Sequence, residues 1–502
     1  MKHVDMKSAP FFLAIFLLSA LNIQAQSYRD FQQVDIEKTH IDLTDVTVLD
    51  SIIYVAPVDG EMLAKFDGYV VGDFGDRIIV AVNDDPSYSV NDGHVGVIAA
   101  DPDHNHTAFA HTRAYSMSQG DTMTFYAVGH NYVNTQGSGI ASIYGHLTLD
   151  FMPDNEGQLK FSPANLSFLD VTAPKVLAAA FVTVPESGKV ITSFEGQAYI
   201  EDGDRIVFAA SNDTMWAPNS GAVSLEQLDI PSPIVPYMHS RTYEVEPGQH
   251  AYRGIVHNYV ETDGTGVASI YGSLVAKYIP NSSETVVEYK SFEKTSIDIS
   301  SVQSLAGINI NAPAPGKILV QMNGVAVADS GDLIVMAATM DGNWTPNSGN
   351  VSIEVPSPDV NRRCFTHTRV FDVSAGFHNL QVIAQNYVET DGTGIASFYG
   401  NMSVEYIATG AVSITPTIAS LTIAPNPTTG RILISDLPAD LGHQGMIRVL
   451  DLQGKQHQLN RLAVGKQVEV DLSSLPVGVY VIQILNADRA LVAQEKVVRM
   501  NR

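Results

Sequence analysis

Three stretches place a histidine and an arginine two residues apart: His111-Thr112-Arg113, His239-Ser240-Arg241 and His367-Thr368-Arg369. An imidazole and a guanidinium on one strand face could form a ligand clamp. Alternate residues of a strand share a side. Phe365, His367, Arg369, Phe371 and Val373 therefore form one row, and its aromatics mark that row as inward. A half-buried guanidinium needs a partner. The favoured reading is thus structural, with Asp76/Asp204/Asp332 or Asp42/Asp170/Asp298 as the paired acids.

Asn131, Asn258 and Asn386 continue the same logic, because each ends an apolar row at the mouth of a loop. An asparagine there satisfies loop backbone groups. In the second and third copies the loop reads Glu-Thr-Asp-Gly-Thr-Gly, so Glu261 with Asp263, and Glu389 with Asp391, are weak calcium candidates. The first copy has Asn134 and Gln136 instead, which argues against a shared metal site. No motif calls for any other cofactor. A solitary Asp101-Pro102-Asp103-His104-Asn105-His106 has transition-metal residue types, but Ile234 and Arg362 stand where His106 would recur, and a polar loop is the simpler account. The chain has no nucleophile elbow, phosphate-binding glycine loop or HExxH. Catalysis has no positive support, and a carboxylate pair for glycoside cleavage is left open.

Tyr144, Tyr271 and Tyr399 sit on the last strand of each copy, opposite in phase to the inner row of Gly145/Gly272/Gly400. An outward aromatic kept three times points either to ligand contact or to packing across its own sheet or a neighbouring domain. Trp216 and Trp344, in loops rich in Asn and Pro, pose the same choice.

The copies recur with a period of 128 that holds almost without gaps: Gly75-Asp76, Gly203-Asp204 and Gly331-Asp332 keep that step, as do Gly68, Gly196 and Gly324. Each unit is long enough to own a core and too long for a solenoid repeat. Within a unit, period-two runs alternate with Gly, Asn, Asp and Pro turns, and no helical stripe is present. The expected fold is all-β: three tandem β-sandwich repeats of about eight strands each, over 35–154, 163–280 and 291–408, with the stretches around Pro153–Pro163 and Pro280–Phe292 as connections. The stretch Val176 to Val184 reads as one buried strand. The pattern Tyr271-Gly272-Ser273-Leu274-Val275 faintly resembles the last strand of C1q and tumour-necrosis-factor jelly rolls. That resemblance motivates a compact pseudo-trimer with the tyrosines at its seams, against the alternative of an extended rod.

The ends of the chain carry addresses. Lys2 and Lys7 before the apolar run Phe11 to Leu21 are expected to form a secretory signal over 1–25, followed by a lead over 26–34. Near residue 420 the charge changes from 18 basic against 46 acidic residues (26–419) to 9 against 7 (420–502). That shift marks a domain boundary, with 409–420 as linker. Pro425-Asn426-Pro427-Thr428-Thr429-Gly430, Asp451-Leu452-Gln453-Gly454-Lys455, Pro476-Val477-Gly478-Val479-Tyr480 and Glu495-Lys496-Val497 resemble the C-terminal sorting domain of the type IX secretion system, over 421–502. The resemblance implies a small immunoglobulin-like sandwich, the secretion machinery as partner, and delivery to the outer-membrane surface or medium of a Gram-negative bacterium.

Net charge of −25 argues against nucleic acid. The single cysteine excludes a disulfide framework, and no mature segment is apolar enough for a membrane helix. The expectation is a non-enzymatic binding or adhesion array for a glycan or protein ligand. A polysaccharide-acting enzyme and a purely structural surface protein are the alternatives.

Overall fold

The computed structural model describes residues 27–501, apart from 88–92, 99–105, 133–136, 202, 215–222, 227–233, 260–263, 341–348, 356–360, 388–391, 409–421, 436–445, 452–455, 462–467 and 486–490. The first repeat folds as β1 (Asp30–Asp42), β2 (Thr47–Val55), β3 (Gly60–Gly72), β4 (Arg77–Asn83), β5 (Val95–Ile98), β6 (His106–Met117), β7 (Thr122–Asn131) and β8 (Ile140–Pro153). The second has β9 (Gln158–Asp170), β10 (Lys175–Val184), β11 (Gly188–Ile200), β12 (Arg205–Ser211), β13 (Val223–Glu226), β14 (Ile234–Val245), β15 (Gly248–Asn258) and β16 (Val267–Pro280). The third has β17 (Val286–Asp298), β18 (Gln303–Ala312), β19 (Gly316–Ala328), β20 (Leu333–Met340), β21 (Val351–Glu354), β22 (Arg362–Val373), β23 (Gly376–Asn386) and β24 (Ile395–Ala408).

Each repeat stacks two antiparallel four-stranded sheets in the same order: β1-β8-β3-β6 on β2-β7-β4-β5, and the equivalents in the other copies. This strand order makes each unit a jelly roll. At the centre of every first sheet two glycines face each other, Gly68 with Gly145, Gly196 with Gly272 and Gly324 with Gly400. A Cβ on Gly68, Gly196 or Gly324 would run into the carbonyl of Tyr144, Tyr271 or Tyr399, which explains their recurrence.

Strands begin earlier than the sequence pattern suggested. Of the presumed connections, 158–162 and 286–290 are already strand, leaving only 154–157 and 281–285 to join the sandwiches. Polar residues there hid the alternation, because these edge strands bury only one side. Strand β10 differs in the same sense: the apolar stretch read as fully buried alternates, with Val176 and Phe181 exposed.

The three sandwiches close into a ring. The core of the second and third repeats is continuous and takes in Ala108 and Ala110 of the first, while Phe31 of the first packs on Leu319 and Ile407 of the third. This compact arrangement is the pseudo-trimer that the faint jelly-roll likeness implied.

The tail forms a separate small sandwich: β25 (Thr422–Ala424), β26 (Arg431–Ser435) and β29 (Val468–Asp471) against β28 (Gln456–Arg461), β27 (Met446–Asp451), β30 (Gly478–Leu485) and β31 (Leu491–Arg499). Ile432, Val449, Tyr480, Ile482 and Val497 fill its core.

Candidate functional site

The repeated asparagines lock the loop mouths. Asn131 Nδ2 donates to Asp76 Oδ1 at 2.7 Å, Asn258 to Asp204 at 2.6 Å and Asn386 to Asp332 at 2.8 Å. The same carboxylates accept the N–H of Gly139, Gly266 and Gly394, whose φ values of 77°, 72° and 69° suit glycine. Burial raises the pKa of Asp76, Asp204 and Asp332, and these hydrogen bonds pull it partway back. The acids expected to pair with the repeated arginines are therefore engaged elsewhere. The guanidiniums lie instead over the aromatic ring two residues on, 5.4 Å for Arg113 on Tyr115, 5.3 Å for Arg241 on Tyr243 and 5.0 Å for Arg369 on Phe371.

The repeated histidines are turned to their own backbone. His111 Nδ1 accepts from Val82 N at 3.0 Å, His239 from Ala210 N at 2.9 Å and His367 from Ala338 N at 3.4 Å. Burial pushes the pKa of His111 down to about 3, and that of His367 well below the usual range. Both rings are neutral, and this role excludes an imidazolium clamp.

The three tyrosines are half-buried and occupied within the protein. Tyr144 stacks on Tyr69 at 4.9 Å, and Asn350 of the third repeat reaches the Tyr69 hydroxyl. Tyr271 meets Tyr199 edge-on and exchanges a 2.6 Å hydrogen bond with Ser167; Arg77 of the first repeat donates to the Tyr199 hydroxyl. Tyr399 packs against the shared core. Trp216, Trp344, Glu261, Asp263, Glu389 and Asp391 lie outside the described residues, as do Gly454 and Lys455. Among the described residues no group of three or more His, Cys, Asp or Glu side chains could hold a metal.

Sequence repetition pointed away from a buried cluster of four charges in the head. On the ring axis, the last strands of the three repeats present Asp150, Lys277 and Glu405 at equivalent positions. Lys277 Nζ contacts Asp150 Oδ2 at 2.5 Å and also Glu405 Oε1. Arg29 Nη2, from the lead segment, donates to Asp150 at 2.7 Å and Glu405 at 3.2 Å. All four side chains are buried. Burial alone would raise the Asp150 pKa, but the Coulomb pull of Arg29 and Lys277 overcomes it and holds the carboxyl below its ordinary value. Two cations against two anions make the axis neutral.

The seams repeat one contact around the ring. Thr112 of the first repeat donates to Glu195 of the second. Ser240 N of the second donates to Asn323 of the third at 2.8 Å. Thr368 of the third faces Asp67 of the first. Beside this contact the seams differ. Between third and first repeats, Gln33 Oε1 accepts from Val370 N at 2.7 Å, and His146 bridges Asp35 at 2.9 Å and His367 at 3.2 Å. Because His367 Nδ1 accepts, its Nε2 carries the proton and donates to His146 Nε2. The His146 hydrogen bond holds the Asp35 pKa below its ordinary value. Between second and third repeats the corresponding place is an open groove of about 280 Å³, lined by Ser240 to Glu244, Tyr289 to Ser291 and Asn401 to Ser403. Ser291 donates to Asn401 Oδ1 at 2.7 Å, while Asn401 Nδ2, on a residue only 8% exposed, has no hydrogen-bond partner. This groove is the candidate binding site. No single-residue signal marked it, since its residues differ from those of the other copies.

In the tail, Asn426 clamps the last strand: its Nδ2 donates to Lys496 O at 2.7 Å and its Oδ1 accepts from Val498 N at 2.9 Å. The Tyr480 hydroxyl donates to Pro476 O at 2.8 Å, Gly478 opens β30, and Thr428 donates to Arg431 O while accepting from Gly430 N. Pro425 and Pro427 follow cis peptide bonds.

Fold and tail together define an exported protein built from β-sandwich domains. Residues 422–499 match the family model described as the secretion system C-terminal sorting domain, which places the protein at the cell surface or in the medium by way of the type IX machinery. No curated protein matches the chain. Among solved structures, the chain is similar to the triple jelly-roll turret protein of an archaeal virus at 9% identity, with 76% of this chain and 90% of that one covered and a TM-score of 0.18. Similar too are an infectious bursal disease virus protein of the Gx strain (10% identity, 51% and 73% covered, TM-score 0.19) and the delta-endotoxin Cry8Ea1 of Bacillus thuringiensis (10%, 74% and 60%, TM-score 0.17). No helix among the described residues is long and apolar enough to cross a membrane.

Proposed function

We propose that the chain is a non-enzymatic binding protein of the Gram-negative cell surface, whose ring of three sandwiches presents a ligand site at a seam and whose tail brings the head to the outer-membrane face. The observation that carries this reading is the open groove between second and third repeats, polar and partly aromatic, at a position that the neighbouring seam fills with its own side chains. A role for the repeated residues in catalysis is disfavoured by their geometry, since His111, His239, His367, Asn131, Asn258 and Asn386 each hold a hydrogen bond within their own sandwich.

The purified chain, head and tail together, is probed on a glycan array and against surface polysaccharide, in calcium and in chelator. Saturable binding without product formation supports the reading. Turnover of a polysaccharide overturns it, and an absence of binding by folded protein overturns its glycan form.

A further inference from the structure

We propose that the groove between the second and third repeats binds an acetamido sugar, with the acetamido carbonyl held by Thr242 N–H and Asn401 Nδ2. The proposal rests on the binding reading above and names the ligand chemistry of that site.

The argument comes from what the protein puts in the equivalent place elsewhere. Position 289 corresponds to Gln33, 242 to Val370 and 401 to His146 in the seam between third and first repeats. There a carboxamide plugs the groove: Gln33 lays its carbonyl oxygen on the free-edge N–H of Val370 at 2.7 Å, and His146 is engaged by Asp35 and His367. In the open groove the plug is replaced by Tyr289. The edge strand is the same. Ser240 N–H leaves its own sheet to reach Asn323, and Thr242, two residues on, shares that phase and presents its N–H to the groove. Asn401 supplies a second donor, buried and without a partner, oriented by Ser291.

A buried donor left dry is costly, and a site built of such donors selects a ligand that brings the matching acceptor. Two N–H donors on residues lining one groove, placed where the fold elsewhere holds an amide oxygen, suit the carbonyl of an acetamido group. Tyr289, 40% exposed, offers a ring face to a pyranose, and the hydroxyls of Thr242 and Ser403 line the groove for ring hydroxyls. The volume of about 280 Å³ lies at the small end of ligand pockets, which fits one sugar residue.

The test measures N-acetylglucosamine and chitobiose against glucose and cellobiose, and a glutamine-bearing peptide, by saturation-transfer NMR and calorimetry on the full chain. Three variants accompany the wild type: Asn401→Asp turns the donor into an acceptor, Thr242→Pro deletes the edge N–H where no ladder bond is lost, and Tyr289→Gln rebuilds the plug of the other seam. The expected result is selective binding of the acetamido sugars, weakened about tenfold or more in each variant, with thermal melts near wild type for Tyr289→Gln. Acetamido binding untouched by any folded variant, or preference for the glutamine peptide, overturns this site while leaving a binding role intact. Binding restricted to glycans without acetamido groups overturns the ligand class alone. Failure to bind any glycan, with all proteins folded, overturns both this inference and the glycan form of the binding reading.

Discussion

The loop mouths and the axis of the ring solve opposite problems with the same kind of residue. At the mouths an aspartate, an asparagine and a glycine recur unchanged in all three copies, because each set closes a loop within its own sandwich and needs nothing from its neighbours. On the axis the equivalent positions are Asp150, Lys277 and Glu405, because there the copies meet one another. Three identical carboxylates at that point would repel in a dry interior. Divergence of type, and recruitment of Arg29 from outside the repeat pattern, makes the meeting neutral. Identity among the copies thus marks work done inside a unit, and difference marks work done between units.

The largest expected effect follows on the axis. Lys277→Met leaves two buried carboxylates facing Arg29 alone and is expected to cost about 3–5 kcal/mol, read as a fall in the urea midpoint. Adding Asp150→Leu restores one cation against one anion and is expected to recover most of that loss. If Lys277→Met proves neutral, the axis is not the closed contact described. A smaller effect is expected at the mouths: Asn131→Ala, Asn258→Ala and Asn386→Ala each remove one buried donor, at about 1–3 kcal/mol apiece. The costs should be alike in the three copies, and a marked spread would show that the mouths are not independent of the ring.

The finest distinction is in pH. Asp150 is held below the ordinary carboxyl value of 3.8, so its contribution is present above that value and is lost as pH falls through the folded one. Asp204 is raised above 3.8, so its contribution is complete below that value and is lost as pH rises through the folded one. Between pH 7 and about pH 3, the stability difference between wild type and Asp150→Asn is expected to shrink, and that between wild type and Asp204→Asn to move in wild type's favour. Equal signs for the two would undo the comparison.

Much of this architecture was legible because repetition is a strong signal. The 128-residue step separated three sandwiches, alternation gave the strands, and the Pro-Asn-Pro opening with the Gly-Val-Tyr hairpin marked the sorting tail. The strand phase put His367 and Arg369 inward, where they lie. What escaped was whatever the copies do differently. Asp150, Lys277 and Glu405 put a cation between two acids, so comparison of the copies does not single the position out. The groove escaped for the same reason, since Tyr289 and Asn401 align with Gln33 and His146. The partner of the repeated arginine was also hidden: an aromatic two residues along is as available as a distant acid, and only the Asp76–Asn131 pairing decides between them.

The closing seam joins Arg29 to Glu405, almost the whole length of the head apart in sequence. In a solenoid, a gene can gain or lose a copy and leave the rest standing. Here every copy has both of its sides taken, so a fourth would find no place and the loss of one would open two faces to water. The number of repeats in this head is a property of its geometry, and variation among relatives built the same way should appear in the seams and loops while the count stays at three.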